Sequence, residues 1–167
     1  KENLNAGSMI PGNQEPSNNG TTEKYCYGND NANCDIYGGL YLWDEMMQYD
    51  TGQGITGICP PGWHIPSDEE WTDLSDYLGA SAGLKMKATS GWSSGGNGTN
   101  ESGFTALPGG TRAITGAFGG LGESAYYWST REHLTTNAWR RRLSEGSDFL
   151  FRDPIDKDMG YSVRCVK

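Results

Sequence analysis

Four cysteines, Cys26, Cys34, Cys59 and Cys165, constrain this chain more than any other feature of its sequence. Zinc sites usually bring cysteines in close pairs such as C-x2-C. Here the first two stand well apart, the last two are separated by most of the chain, and only His64 and His133 could add further soft ligands. A disulfide framework fits better than a metal site; the alternative is four buried thiols in a cytosolic protein. Three pairings are open, and the simplest joins Cys26 to Cys34 across a polar loop and Cys59 to Cys165 across most of the domain. In the chain-entropy picture the long bridge would contribute about 4.7 kcal/mol and the short one somewhat under ~3 kcal/mol. Such bridges persist in oxidising compartments, so the expected location is extracellular or at the cell surface.

The 167 residues suit one domain spanning the whole chain, with its own core. Apolar residues make up only 35%, but 25 glycines and an aromatic share of 11% point to a turn-rich fold with an aromatic core. A net charge of −8 opposes binding to a phosphate backbone or an anionic bilayer, so nucleic acid is not an expected partner. No stretch reaches the ~18 to 20 apolar residues of a membrane-spanning helix, and residues 1–10 do not form a basic, apolar signal segment, so any signal peptide would lie upstream of Lys1. Export is therefore read from the cysteines.

Residues 6–33 are rich in Asn, Gly, Ser and Pro and read as a loop that the first cysteine pair would clip. Leu40, Trp43 and Met47 follow helical spacing, as a short amphipathic helix would, with Met46 and Met47 as core filler. A firmer helix covers 68–78: Ser67 is its N-cap, Glu70 completes a capping box, and Gly79 stops it. Trp71, Leu74 and Leu78 share a face, and Asp68, Glu69 and Glu70 sit where the helix dipole favours negative charge, a structural role. Short strands are expected at 84–88, 103–107, 110–113, 125–129, 137–143, 149–151 and 161–166, separated by glycine turns. Helices first and strands later argue for an α+β fold.

Three segments carry a family resemblance: Cys59-Pro60-Pro61-Gly62-Trp63-His64-Ile65-Pro66-Ser67-Asp68-Glu69-Glu70-Trp71, then Gly103-Phe104-Thr105-Ala106-Leu107-Pro108-Gly109-Gly110-Thr111-Arg112, then Tyr127-Trp128-Ser129-Thr130 with the terminal Gly160-Tyr161-Ser162-Val163-Arg164-Cys165-Val166. Together with Glu2-Asn3-Leu4-Asn5 and Tyr37-Gly38-Gly39-Leu40-Tyr41, the chain resembles the Fibrobacter succinogenes major paralogous domain over nearly its whole length. The resemblance implies a C-type-lectin-like fold, with two helices beside small antiparallel sheets, long ordered loops and neighbouring termini. It favours the Cys59 to Cys165 bridge and implies an exported or surface lipoprotein of Bacteroidota or Fibrobacterota. The family has a strand upstream of its Trp-Met-x-Glu-Asn-Leu-Asn motif, and this chain starts inside that motif. Either preceding residues are missing, or strand 161–166 has an open edge that another chain fills by β-augmentation, making the protein a subunit of a surface complex or filament.

The expected function is non-catalytic binding of a surface glycan or a protein partner. Enzymes of related fold, the formylglycine-generating and sulfoxide-synthase enzymes, use a copper-binding cysteine pair or a histidine-rich iron site, and neither pattern occurs here. His64, in a proline-bounded turn, is expected to hydrogen-bond a backbone carbonyl, and His133 to lie in a surface loop. Trp92, Asn97, Asn100, Tyr126 and Arg112 are the ligand-binding candidates, because aromatic faces beside amides and a guanidinium suit sugar rings. Trp92 could equally belong to the core, and Trp128 and Trp139 are expected there. No cofactor is required, although Asp153, Asp156 and Asp158 have oxygen spacing that would admit calcium. Their simpler reading is a solvated turn facing surface arginines 140–142.

Overall fold

The capping signals at Ser67 and Glu70 act as read. In the computed structural model, which describes residues 2–167, the Ser67 hydroxyl accepts the Glu70 amide at 3.1 Å and the Glu70 carboxylate accepts the Ser67 amide at 2.8 Å. They start a helix over Asp68–Leu78, and Gly79 at φ 74° stops it. Its apolar face buries Trp71 and Leu78 against Met86, Trp92, Ala106, Tyr127 and Leu143.

In chain order the elements are β1 (Ser8–Met9), β2 (Glu23–Lys24), α1 (Asn31–Tyr37), α2 (Trp43–Met46), α3 (Asp68–Leu78), α4 (Ala82–Met86), β3 (Gly109–Arg112), β4 (Phe118–Leu121), β5 (Ser124–Leu134), β6 (Asn137–Ser144) and β7 (Phe151–Asp156). β1 and β2 form a short parallel pair, β3 and β4 an antiparallel pair, and β5, β6 and β7 an antiparallel meander. The architecture is α+β, with few helices and small sheets.

Several expected elements are redrawn. Residues 84–88, which alternate like a strand, lie largely in α4, where Ala82 and Met86 are buried at helical spacing and Lys85 Nζ donates to Leu78 O at 2.8 Å. Gly83 is needed there, because a Cβ would stand 2.5 Å from Phe149 O. Residues 103–107 form a loop that touches its neighbour through a single bridge, Ala106 to Lys87. α1 falls partly inside the supposed loop; Asp30 caps it by accepting the Ala32 amide, and Gly38 at φ 80° ends it. Leu40 lies outside α2, bridged to Tyr25, while Met46 and Met47 are fully buried as expected. The last sheet strand begins at Phe151 and leaves Phe149 59% exposed.

Both bridges of the simplest pairing are present, Cys26 to Cys34 and Cys59 to Cys165. The segment 161–166 is held by its own chain on several sides. Tyr161 exchanges backbone bonds with Tyr41, the Ser162 amide donates to Tyr126 O, Val163 O accepts the Leu4 amide, and Val166 exchanges bonds with His64. This corrects the expectation of an open C-terminal strand edge for another chain: Leu4, Tyr41, His64 and Tyr126 already take its backbone groups. The Leu4 contact also brings the two ends of the chain together.

Tryptophans fill much of the core. Trp43, Trp71, Trp92 and Trp128 are all at most 5% exposed, and their indole N–H groups donate to Ser129 O, Trp128 O, Ala106 O and Tyr41 O at 2.9 to 3.2 Å. Each therefore buries its ring without an orphaned donor. Trp128 meets its expected place, whereas Trp139 is only half-buried, with the Arg152 guanidinium 3.4 Å from its ring centre. The arginine run is not uniformly a surface feature. Arg140 pairs with Asp153, as expected, but Arg141 is 3% exposed and binds Asp68 beneath α3.

Candidate ligand-binding cleft

The residues first expected to bind ligand do not converge. Trp92 is 5% exposed and bound to Ala106 O, so it is core and not a loop-tip platform. Asn97 is exposed, but its Oδ1 accepts the Trp92 amide at 3.0 Å. Asn100 closes the 100–105 turn, its Oδ1 accepting the Thr105 amide at 2.7 Å and its Nδ2 donating to Thr105 Oγ1 at 2.9 Å. Arg112 is 1% exposed and spent on Gly12 O, Asp158 O and the Glu15 carboxylate. Tyr126 is half-buried, stacked on Tyr161 at 4.8 Å between ring centres, with the Arg140 guanidinium 4.7 Å from its own ring. None of the five lines the cavities described below.

The acidic trio is corrected as well. Asp153 and Asp156 stand three apart on β7, so their side chains leave opposite faces of the strand. Asp153 pairs with Arg140 at 3.1 Å, and Asp156 Oδ1 accepts the Asp158 amide at 2.9 Å in the turn beyond. Among the described residues no cluster of three or more His, Cys, Asp or Glu side chains is arranged to hold a metal ion.

A different site assembles where the two ends of the chain meet. Asn3 Nδ2 donates to Tyr37 O at 2.7 Å and its Oδ1 accepts Arg164 Nε at 2.7 Å, while Leu4 is held by Val163 and Gly39 through the backbone. Gly38 permits the approach, since a Cβ there would lie 2.5 Å from Asn3 Cβ. Two cavities flank this segment. One, of about 370 Å³, is lined by Asn3, Asn5, Asp35, Thr105, Leu107 and Arg164 among others. The other, of about 350 Å³, lies between Glu2, Asn3, Leu4 and Asn5 on one side and Pro60, Trp63 and Cys165 on the other.

Trp63 is the most exposed indole among the described residues, at 40%. Its amide closes the Pro60-Pro61-Gly62 turn onto Pro60 O at 3.0 Å, and the Cys59 to Cys165 bridge fixes the start of that turn. The chain thus presents a rigid aromatic face beside amide groups. His64, next along, bonds the Glu70 carboxylate with Nε2 at 2.8 Å, correcting the expected carbonyl partner. Burial pushes the Glu70 carboxyl up, but hydrogen bonds from the Ser67 backbone and from His64 outweigh it and hold the group below the usual carboxylate range. His133 packs edge-on against Trp139, with 4.8 Å between ring centres. Both imidazoles therefore have structural partners.

Sequence reasoning missed Trp63, Asn3, Asn5 and Arg164 as site residues. The turn Pro60-Pro61-Gly62, anchored by a cysteine, carried a usable signal for Trp63, because a tight loop leaves little room to bury the next indole. Asn3 and Arg164 lie at opposite ends of the chain, and only the neighbouring termini implied by the resemblance hinted at their contact. No curated protein and no solved structure matches this chain. The family model of the Fibrobacter succinogenes major domain, in contrast, matches residues 1–167, and the chain belongs to that family.

Proposed function

We propose that this protein is a non-catalytic, exported surface module with a C-type-lectin-like frame, carried as an outer-membrane lipoprotein, that binds glycan in the cleft beside Trp63. The observation that carries the reading is an indole 40% exposed in a core-rich chain, fixed by a disulfide-anchored turn next to a cavity of about 350 Å³ lined by Asn3 and Asn5. Pyranose rings offer apolar C–H faces to an aromatic plane and hydroxyls to amides, the chemistry displayed there. Two disulfides suit an oxidising compartment, which supports export. The lectin-like frame draws support from family membership, the adjacent ends of the chain, and a helix packed beside small sheets. Binding in this cleft needs no calcium.

The test is a glycan array followed by titration calorimetry on the best hit, with wild type, Trp63→Phe and Trp63→Ala. Trp63→Ala is expected to weaken binding about tenfold, the loss of one aromatic platform, with an unchanged melting temperature. Trp63→Phe should keep part of the affinity, and EDTA should have no effect. An empty array, or a hit indifferent to Trp63→Ala, rules the reading out.

A further inference from the structure

The tripeptide Asn-Gly-Thr occurs twice, at Asn19-Gly20-Thr21 and at Asn97-Gly98-Thr99, and these hold the chain's two Asn-Gly pairs. In an Asn-Gly pair the backbone nitrogen of the glycine can attack the asparagine side chain with little hindrance, because glycine has no Cβ to stand in the way. The two tripeptides are identical, so a difference in their reactivity comes from the fold.

The fold treats them oppositely. At the second copy Gly98 is wedged in place: its amide donates to Ala88 O at 2.8 Å, and a Cβ there would stand 2.4 Å from both Leu84 O and Lys87 O. Asn97 Oδ1 accepts the amide of Trp92, a core residue, at 3.0 Å. Bringing the Gly98 nitrogen onto the Asn97 side chain therefore requires a local opening that breaks these bonds first. At the first copy Asn19, Gly20 and Thr21 are all exposed, in the loop that leads into β2. Among the described residues the Gly20 amide donates to no backbone or side-chain acceptor, and the space where its Cβ would stand is open. Asn19 Oδ1 accepts the Thr21 amide at 2.8 Å, which folds the side chain back over the Gly20 peptide and polarises its carbonyl.

We propose that Asn19 is a site of self-modification, converting through a succinimide to aspartate and isoaspartate, and that the fold protects Asn97 from the same reaction. The Gly20 nitrogen gives its proton to solvent base and bonds to Asn19 Cγ. The Cγ–Nδ2 bond breaks, and the side-chain nitrogen takes up a proton and leaves as ammonia. Water then opens the ring: addition at Cγ restores the Gly20 peptide and leaves aspartate, whereas addition at the main-chain carbonyl leaves isoaspartate. Either product places a new carboxylate in a loop that already carries Glu15 and Glu23, in a chain of net charge −8. Isoaspartate also routes the main chain through Cγ, so the Thr21 amide loses its acceptor. The site lies outside the Trp63 cleft and does not depend on glycan binding.

Incubation of the oxidised full chain at neutral and mildly alkaline pH tests this, read by tryptic mapping with electron-transfer fragmentation and by isoaspartate-specific enzymatic methylation. The tryptic peptides ending at Lys24 and Arg112 carry one site each. Asn19 should convert at least about tenfold faster than Asn97, the ratio set by ~1.4 kcal/mol of local opening, and its rate should rise with pH. In the reduced chain in urea the two sites should convert at comparable rates. Asn19→Gln should remove the early acidic species on ion exchange and leave the melting temperature unchanged. Equal rates in the folded protein, faster conversion of Asn97, or a preference for Asn19 that persists in urea would each overturn the proposal. So would an unmodified Asn19 in the folded protein after the chain in urea has converted.

Discussion

The two disulfides close loops of very different length, and this makes their removal a quantitative test of how the fold is held. Cys59 and Cys165 are 106 apart in sequence and Cys26 and Cys34 only 8. If a bridge acts mainly by restricting the unfolded chain, its contribution grows with the logarithm of loop length, giving about 4.7 kcal/mol for the long loop and about 2.5 kcal/mol for the short one. The packing term is similar for both, because Cys26, Cys34 and Cys59 are all buried and Cys165 is partly so. Comparing the Cys26→Ala/Cys34→Ala and Cys59→Ala/Cys165→Ala double variants therefore isolates loop length. For a chain of this size each kcal/mol moves the melting temperature by roughly 2 to 4 °C, so the long-loop variant should lose about 9 to 19 °C and the short-loop variant about 5 to 10 °C. Calorimetry of the oxidised proteins reads the difference, and hydrogen exchange reads its location. The Val166 and Leu4 amides, bonded to His64 O and Val163 O, should lose protection first in the long-loop variant. Equal losses, or a larger loss from the short loop, would refute the entropic account and point to strain or contacts in the folded state.

Two further outcomes follow from the charged groups. Asp68, side chain 5% exposed, holds Arg141 at 2.9 Å and Arg152 at 2.7 Å. Burial lowers the Arg141 pKa and the Arg152 charge adds to that, while Asp68 opposes both. Asp68→Asn leaves Arg141 buried without a counter-charge and should cost about 3 to 5 kcal/mol in urea unfolding, part of it recovered by adding Arg141→Met. A loss under ~1 kcal/mol would show that the guanidinium finds other compensation. Glu70 is held below its unfolded pKa, so its contribution is fully present above about pH 4.3 and disappears as pH falls through the lower folded value. Glu70→Gln should flatten that acid limb of melting temperature against pH, and parallel curves for wild type and variant would contradict the assignment.

How much of this was legible in the sequence depends on whether the deciding interactions are local. α3 was readable to the residue because its signals, Ser67, Glu70 and Gly79, act within their own turns. The strands read at 125–129 and 137–143 lie in β5 and β6, but β5 runs on to Leu134 and takes in His133, which the sequence had placed in a loop. α4 was misread because Leu84-Lys85-Met86-Lys87-Ala88 alternates, and its surroundings are distant in sequence: the Phe149 carbonyl lies against Gly83, and the helix ends where extended Lys87 bridges to Ala106. α1 was hidden in a polar run because its cap at Asp30 is weak without the bridge that joins Cys34 to Cys26.

The same distinction explains the misplaced ligand site. Trp63 and Trp92 both follow a glycine in loop-like sequence; the proline turn before Trp63 leaves its indole little room for burial, but nothing near Trp92 tells that its indole will find a buried carbonyl. Trp92 finds Ala106 O, fourteen residues on, and enters the core. Trp63 meets the two ends of the chain and remains at the surface. Arg164 is fixed by Asn3, 161 positions away, a contact that only the folded chain makes visible. The disulfide anchors both places: Cys59 opens the turn that presents Trp63, and Cys165 lies between Arg164 and Val166. A pairing that the cysteine spacing made the simplest choice thus fixes the geometry of two cavities whose lining residues the sequence alone could not bring together.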